Sequence, residues 1–474
     1  MRFLALSAVL AASACVAPPA ERAPRRPNLV LIVADDLGYG ELGCYGQTKI
    51  RTPRIDQLAA EGVRFTQFYA GAPVCAPSRC VLLTGVHSGH SAVRDNFEIK
   101  PEGQMALPAE EVTLAERLRA VGYRTGAFGK WGLGAPGSEG APNAQGFDEF
   151  FGYLCQREAH NFYPDHLWRN AERVELEGNS RGLTGAQYSH DLIVDEALSF
   201  VRAHADEPFF LYVPFTIPHL ALQVPEDSLA EYRGQWDDPP YDGSKGYLPH
   251  PTPRAAYAAM VTRMDRDVGR IVDLLAQLEL ADDTLILFTS DNGPTYDRLG
   301  GSDSEFFASA AGLRGLKGSV YEGGLRVPLV ARGCGVAQRG ASVDDPAAFW
   351  DLVPTLCELA GAPLEQPLDG VSLCGVLAGA ARLGERELYW ELPSYAGGQQ
   401  ALRRGDWKAV RRNTKKGASA VELYDLASDR SESRDLARER PALAEELLRA
   451  MGDAHRPHAR FALLPEESPS PAAR

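Results

Sequence analysis

Asn28-Leu29-Val30-Leu31-Ile32-Val33-Ala34 is a continuous apolar run that stops on Asp35-Asp36-Leu37-Gly38. A run without apolar–polar alternation suits a strand buried on both faces, the kind found in parallel sheets covered by helices. Thr284-Leu285-Ile286-Leu287-Phe288-Thr289-Ser290 repeats the pattern and stops on Asp291-Asn292-Gly293. Phe209 to Phe215 is a third such run, ending before Pro218-His219. Between the runs lie helical stretches. Thr52-Pro53 has a cap residue and a Pro at the first helical position. Glu111 to Val121 is a second helix, and Ala255 to Leu278 a third, with Met260, Met264, Val268 and Ile271 on one core-facing stripe. Alternating strands and helices of this kind predict a mainly parallel α/β sheet.

In open α/β sheets, ligands bind outside the carboxyl ends of the strands. Asp35, Asp36, Asp291 and Asn292 therefore belong at one rim. Their all-oxygen donor set favours Ca²⁺ or Mg²⁺ over zinc. Each acidic pair alone also reads as an ordinary turn or helix cap. What decides between the two readings is Cys75-Ala76-Pro77-Ser78-Arg79, followed by Cys80-Val81-Leu82-Leu83-Thr84-Gly85.

That run resembles the signature of the type I sulfatases, Cys-x-Pro-Ser-Arg before an apolar stretch ending in Thr-Gly. Further segments match the family in order: Gly129-Lys130-Trp131-Gly132, Pro218-His219, Gly315-Leu316-Lys317-Gly318 and Tyr321-Glu322-Gly323-Gly324-Leu325-Arg326. The resemblance runs from about Asn28 to Arg438. It implies hydrolysis of sulfate esters by a formylglycine gem-diol, made from Cys75 by a formylglycine-generating maturase. It also implies a metal site of Asp35, Asp36, Cys75, Asp291 and Asn292, holding Ca²⁺ in preference to Mg²⁺. Arg79, Lys130 and Lys317 would hold the nucleophile and the sulfate oxygens, and His219 would face the scissile ester oxygen. The implied fold is that of alkaline phosphatase: a large, mainly parallel mixed sheet sandwiched by helices. A small C-terminal subdomain of antiparallel sheet plus helix follows it.

The family pattern around the first lysine is Gly-Lys-Trp-His, and here the last position is Gly132. Three readings stand: a metal-ligating carboxylate such as Asp291 takes over, another His does, or the chain is a degraded homologue. The expectation adopted is that His160 reaches the space left by the missing imidazole. Two further readings of the whole chain remain. One is a phosphoester or phosphonate hydrolase of the same superfamily; the other is a non-catalytic glycan-binding lipoprotein.

With 474 residues and 45% hydrophobic content, the chain can bury a large core. Residues 1–22 read as a signal peptide, possessing a basic start and an apolar stretch from Phe3 to Leu10. Ala12-Ser13-Ala14-Cys15 resembles a lipoprotein cleavage box, so the expected location is periplasmic, lipid-anchored through Cys15, or secreted. Residues 26–375 form the catalytic domain and 376–462 the C-terminal subdomain, with 463–474 expected to be a disordered tail. Strands are expected at Glu387–Leu392, Trp407–Val410 and Val421–Asp425, and a helix from about Pro441 to Met451. Six cysteines besides Cys15 and Cys75 allow 15 pairings, none of them preferred.

A net charge of −14 argues against nucleic acid as a partner and provides no global attraction for an anionic substrate. The attraction must be local: the proposed site with one divalent cation carries a formal charge of about +2. For the substrate, the loop Cys155-Gln156-Arg157-Glu158-Ala159-His160-Asn161-Phe162-Tyr163-Pro164 mixes aromatic, amide and basic groups. That mixture suits a sulfated carbohydrate, although a small sulfate ester also fits. His160, Asn161 and Arg157 are the candidate substrate contacts there. Arg94 and Asn96 are candidates from the segment after the nucleophile, where His87 and His90 are also placed to line the pocket.

Overall fold

The first apolar run is strand β1 (Asn28–Ala34), buried along its whole length. Its side chains alternate between two cores: Leu29, Leu31 and Val33 enter one, Val30, Ile32 and Ala34 the other. Period-two alternation is a property of any strand, so two covered faces require apolar residues at every position. The computed structural model describes residues 26–467, except 338, 418 and 419. After β1 come β2 (Val63–Tyr69), helix α1 (Cys75–Thr84), β3 (Arg124–Lys130), β4 (Glu149–Tyr153) and β5 (Phe209–Pro214). Helix α2 (Pro253–Gln277), β6 (Thr284–Ser290) and β7 (Arg326–Gly333) follow. The spatial order is β2-β7-β6-β1-β5-β3-β4. β1 pairs in parallel with β5 and β6, and β3 with β4 and β5, whereas β7 runs antiparallel to both neighbours. Four short strands extend the edges to eleven in all. The expected mixed, mainly parallel sheet is present.

Met260, Met264, Val268 and Ile271 of α2 are fully buried. The helix expected from Thr52 runs over Pro53–Glu61, but the Thr52 side chain does not cap it. Its hydroxyl instead accepts from Gly43 N and donates to Asp56. Asp265 of α2 receives the free N–H groups of Arg54 and Ile55. A carboxylate from a neighbouring helix has taken the local cap's place.

The C-terminal subdomain is an antiparallel sheet of β8 (Glu387–Leu392), β9 (Gln399–Arg404), β10 (Trp407–Arg412) and β11 (Glu422–Asp425). Helix α3 (Pro441–Ala454) packs on it. β9 has no apolar alternation to reveal it: Gln399, Gln400 and Arg403 are buried because other parts of the chain satisfy them. The expected disordered tail begins too early. Leu463 is buried, and Glu467 accepts from Leu463 N and pairs with His455. Residues 468–474, the expected signal peptide and Cys15 lie outside the described residues. No helix among the described residues is long and apolar enough to cross a membrane. The seven described cysteines are all free thiols.

Candidate active site

β1 and β6 lie side by side in register, Ala34 opposite Ser290, so Asp35-Asp36 and Asp291-Asn292 emerge at the same rim. Asp36 adopts a left-handed backbone (φ 65°), uncommon for a non-glycine residue. Its N–H donates to Asp291 Oδ1 at 3.1 Å, and Asn292 Nδ2 donates to Asp36 Oδ1 at 2.8 Å. Helix α1 begins at Cys75, and all ten of its residues are buried. Cys75 Sγ lies 3.3 Å from Asp35 Oδ1 and 3.3 Å from Lys317 Nζ. Arg79, one turn on and hence on the same helix face, reaches Asp291 Oδ2 through Nε (3.0 Å) and Nη2 (2.8 Å). Lys130, the last residue of β3, places Nζ 2.6 Å from Asp35 Oδ2. Lys317 Nζ is 2.7 Å from Asp36, and His219 Nε2 is 3.6 Å from the same carboxylate. Every one of these side chains is buried. The site residues expected from β1, α1, β3, β6 and the two later loops therefore meet in one cluster.

Three carboxylates face three permanent cations in a space of low dielectric, so each group's charge depends on the others. Burial alone would raise the Asp35 acid, but Lys130, His219 and Arg79 hold it well below the ordinary carboxylate range. Asp291 goes the other way, to about 6, through burial and the neighbouring Asp35 charge. Burial and Asp35 push the Cys75 thiol far up. An unmodified Cys75 is thus a neutral thiol and a poor nucleophile. Burial and Lys317 pull His219 well below its usual range. Its Nδ1 is 2.6 Å from the Leu220 carbonyl, which assigns the ring proton to Nδ1 and leaves the Nε2 lone pair facing the cluster.

Above Lys317 and His219 opens a cavity of about 410 Å³. His160 lines it, its ring stacked on His219 at 4.4 Å and 14°. Arg157 stands at the rim, paired with Glu98 at 3.1 Å. Asn96 is also in the wall, its Oδ1 accepting from Ala76 N in the first turn of α1. Two expected contacts are corrected. Arg94 is turned away and buried against Glu391 (2.8 Å) and the Arg456 carbonyl, where its charge is already matched. Asn161 spends its amide on Arg181 O and Tyr163 N, which pins its own loop. His87 and His90 do not reach the cavity lining either; they stack on each other beside Asp369. His160 is not the side chain nearest Gly132. A Cβ on Gly132 would lie 3.1 Å from Gln156 Cγ, so Gln156 occupies that space.

Gln156 and three tyrosines in the wall, Tyr247, Tyr296 and Tyr395, escaped sequence reasoning. Gln156 sat inside a loop already singled out. The tyrosines come from three separate loops and follow no spacing rule.

A family model described as Sulfatase matches residues 27–362. Human arylsulfatase A is 36% identical over 81% of this chain and 75% of its own length. Mouse steryl-sulfatase is 32% identical, over 78% and 68%. Among solved structures, Ps i-CgsB in complex with k-i-k-neocarrahexaose superposes with a TM-score of 0.77 at 30% identity, covering 90% of this chain and 92% of that one. The chain belongs to the sulfatase family of the alkaline-phosphatase-like superfamily. It is a sulfuric ester hydrolase.

Proposed function

We propose that the protein hydrolyses sulfate esters of carbohydrates, with Cys75 oxidised to formylglycine and Ca²⁺ held beside it. The observation that carries this reading is the setting of Cys75. Its thiol is buried, neutral and packed between Asp35 and Lys317 at the start of a helix. Such a place gives thiolate chemistry nothing, whereas an aldehyde hydrate there supplies an oxygen nucleophile. The donor set fits a hard cation, because Asn292 Oδ1 is buried without a hydrogen-bond partner at the same rim as three carboxylates. Asp35, Asp36, Asp291, Asn292 and the modified residue 75 would hold Ca²⁺, which supplies Lewis acidity.

Arg79 is locked on Asp291 and so positions that carboxylate rather than moving with substrate. Burial alone would lower Lys130 and Lys317, but the Asp35 and Asp36 carboxylates raise both above the ordinary lysine value, so both are cationic at neutral pH. They bring positive charge to an anionic ester. His219 starts neutral. A bound sulfate offsets Lys317, raises the proton affinity of Nε2 and lets that atom carry a proton to the leaving oxygen. His160, stacked against it, would contact the sugar beside the scissile bond. The solved relative in complex with an oligosaccharide supports a carbohydrate in the cavity. Export, to the periplasm or beyond, belongs to the same reading.

The test is direct. Protein co-expressed with a maturase should show the aldehyde, or its hydrate, at residue 75 by mass spectrometry. Cys75→Ala should lose at least ~10³-fold in turnover of 4-nitrophenyl sulfate, as removal of a nucleophile does. Full activity with an intact thiol refutes the mechanism. A large preference for the matched phosphate ester would move the substrate class to phosphoesters.

A further inference from the structure

A second cavity adjoins the one over Lys317 and His219, with Tyr395 between them. Asn96 and Tyr395 belong to the walls of both, and the second, of about 380 Å³, lies on the side of the C-terminal subdomain. Tyr395 sits beside Lys317: its Cδ1 would lie 2.7 Å from a Cβ on Gly318. The second cavity is lined by Lys415, Arg460, Phe97 and Phe461. Phe97 is 40% exposed, and the Arg460 guanidinium lies 5.1 Å above its ring. Among the described residues neither Lys415 nor Arg460 has a carboxylate within ion-pairing distance. The net charge of the chain is −14, so carboxylates outnumber cations. Among the described residues Asp95 is the one carboxylate in this wall; burial pushes its acid upward, and the Lys415 charge nearby works against that.

Each cavity alone falls near the lower end of the ~300–1,000 Å³ range of small-molecule sites. Side by side, the two offer more room than one aryl sulfate needs. Phe97 offers an apolar face, and Lys415 and Arg460 offer charge that is not held in an ion pair. The protein repels polyanions overall, so binding of one must draw on such local groups.

We infer that this second cavity is an anion subsite, which takes a further sulfate group of a multiply sulfated oligosaccharide while the scissile ester lies at residue 75. The assignment rests on the carbohydrate reading of the active site and narrows it to polyanionic chains. Lys415 and Arg460 are substrate-positioning residues, since neither lies at the reacting atoms.

A heparin-derived hexasaccharide, used as a flexible polysulfated chain, serves as the probe. As a competitive inhibitor of 4-nitrophenyl sulfate hydrolysis by matured enzyme, its Ki should rise at least ~10-fold in Arg460→Glu and in the Lys415→Ala/Arg460→Ala double variant. KM for the small ester should change less than ~2-fold. The gap should narrow as salt is raised, because the subsite faces solvent. Unchanged Ki, or Ki and KM rising together, overturns the subsite. Calorimetric titration of the same hexasaccharide into Cys75→Ala protein, with and without Arg460→Glu, reads the affinity shift without turnover. A failure of catalysis is thereby separated from a failure of the subsite, and equal affinities there also overturn it.

Discussion

Gly132 shows how one position is constrained from two directions. Its φ of +79° is left-handed, a conformation L side chains rarely adopt, and Gln156 already fills the space a side chain would enter. Gln156 Nε2 in turn donates to Asn96 Oδ1, which also accepts from Ala76 N beside Cys75. Restoring the family's His is therefore expected to harm this protein. Gly132→His should lower kcat/KM on nitrophenyl sulfate at least ~10-fold, by strain and by displacing Gln156. Gly132→His/Gln156→Ala should recover part of the loss. Equal kinetics for the two variants would show that Gln156 is not the obstacle. The glycine was visible in the sequence, but its neighbour was not. Gln156 lies 24 positions away, and only the fold brings it there.

At the scale of an element, helix α1 joins Cys75 to the core. Cys75 and Arg79 share the face that meets the aspartates, while Val81, Leu82 and Leu83 enter the larger core. Gly85 ends the helix at φ +78°, its N–H returning to Val81 O at 2.9 Å. An apolar stretch closed by a glycine is the local signal of a helix of this kind. A Cβ on Gly85 would meet Val353 Cβ at 2.9 Å. Gly85→Ala should therefore cost at least ~1–2 kcal/mol, the left-handed penalty for an L residue, with the contact added. A lowered denaturant midpoint checks this; an unchanged midpoint would mean that the 353 segment yields freely. Strand β9 is the opposite case, since its buried glutamines and arginine carry no local signal.

Across the whole molecule, the catalytic domain and the C-terminal sheet are joined by buried charge. Lys408 Nζ of β10 lies 2.9 Å from Glu322, just before β7, and 3.0 Å from Glu432. One ammonium cannot satisfy two buried carboxylates equally. Burial would raise Glu322, but Lys408 and Arg326 hold it near 2, whereas burial and Glu322 push Glu432 to about 7. The unfolded value for a glutamate is ~4.3. Between ~4.3 and about 7 the folded state thus binds more protons at Glu432, and its contribution to stability falls as pH rises through that window. Glu322 acts in the opposite sense, with a contribution present above ~4.3 and lost as pH falls towards 2. Wild type is expected to lose melting temperature from pH 5 to 8 in scanning calorimetry, and Glu432→Gln should flatten that decline. A decline of undiminished size in the variant would place its origin elsewhere.

The sequence by itself determined the apolar strands β1, β5 and β6, the rim at their ends and the residues that cluster there. Those features are encoded locally, in uninterrupted apolar runs and in polar residues placed directly at their ends. Strand register then carries Asp35, Asp36, Asp291 and Lys130 to their places with little freedom left. The tertiary structure alone decided the surroundings of that cluster. Arg94 and Asn161 turned out to be structural because their partners, Glu391 and Arg181, come from distant or looped segments. Gln156, Tyr247, Tyr296 and Tyr395 reached the cavity because loops from different parts of the chain fold over it. A side chain on a loop takes its direction from what it packs against, and that neighbour is chosen by the folded chain as a whole.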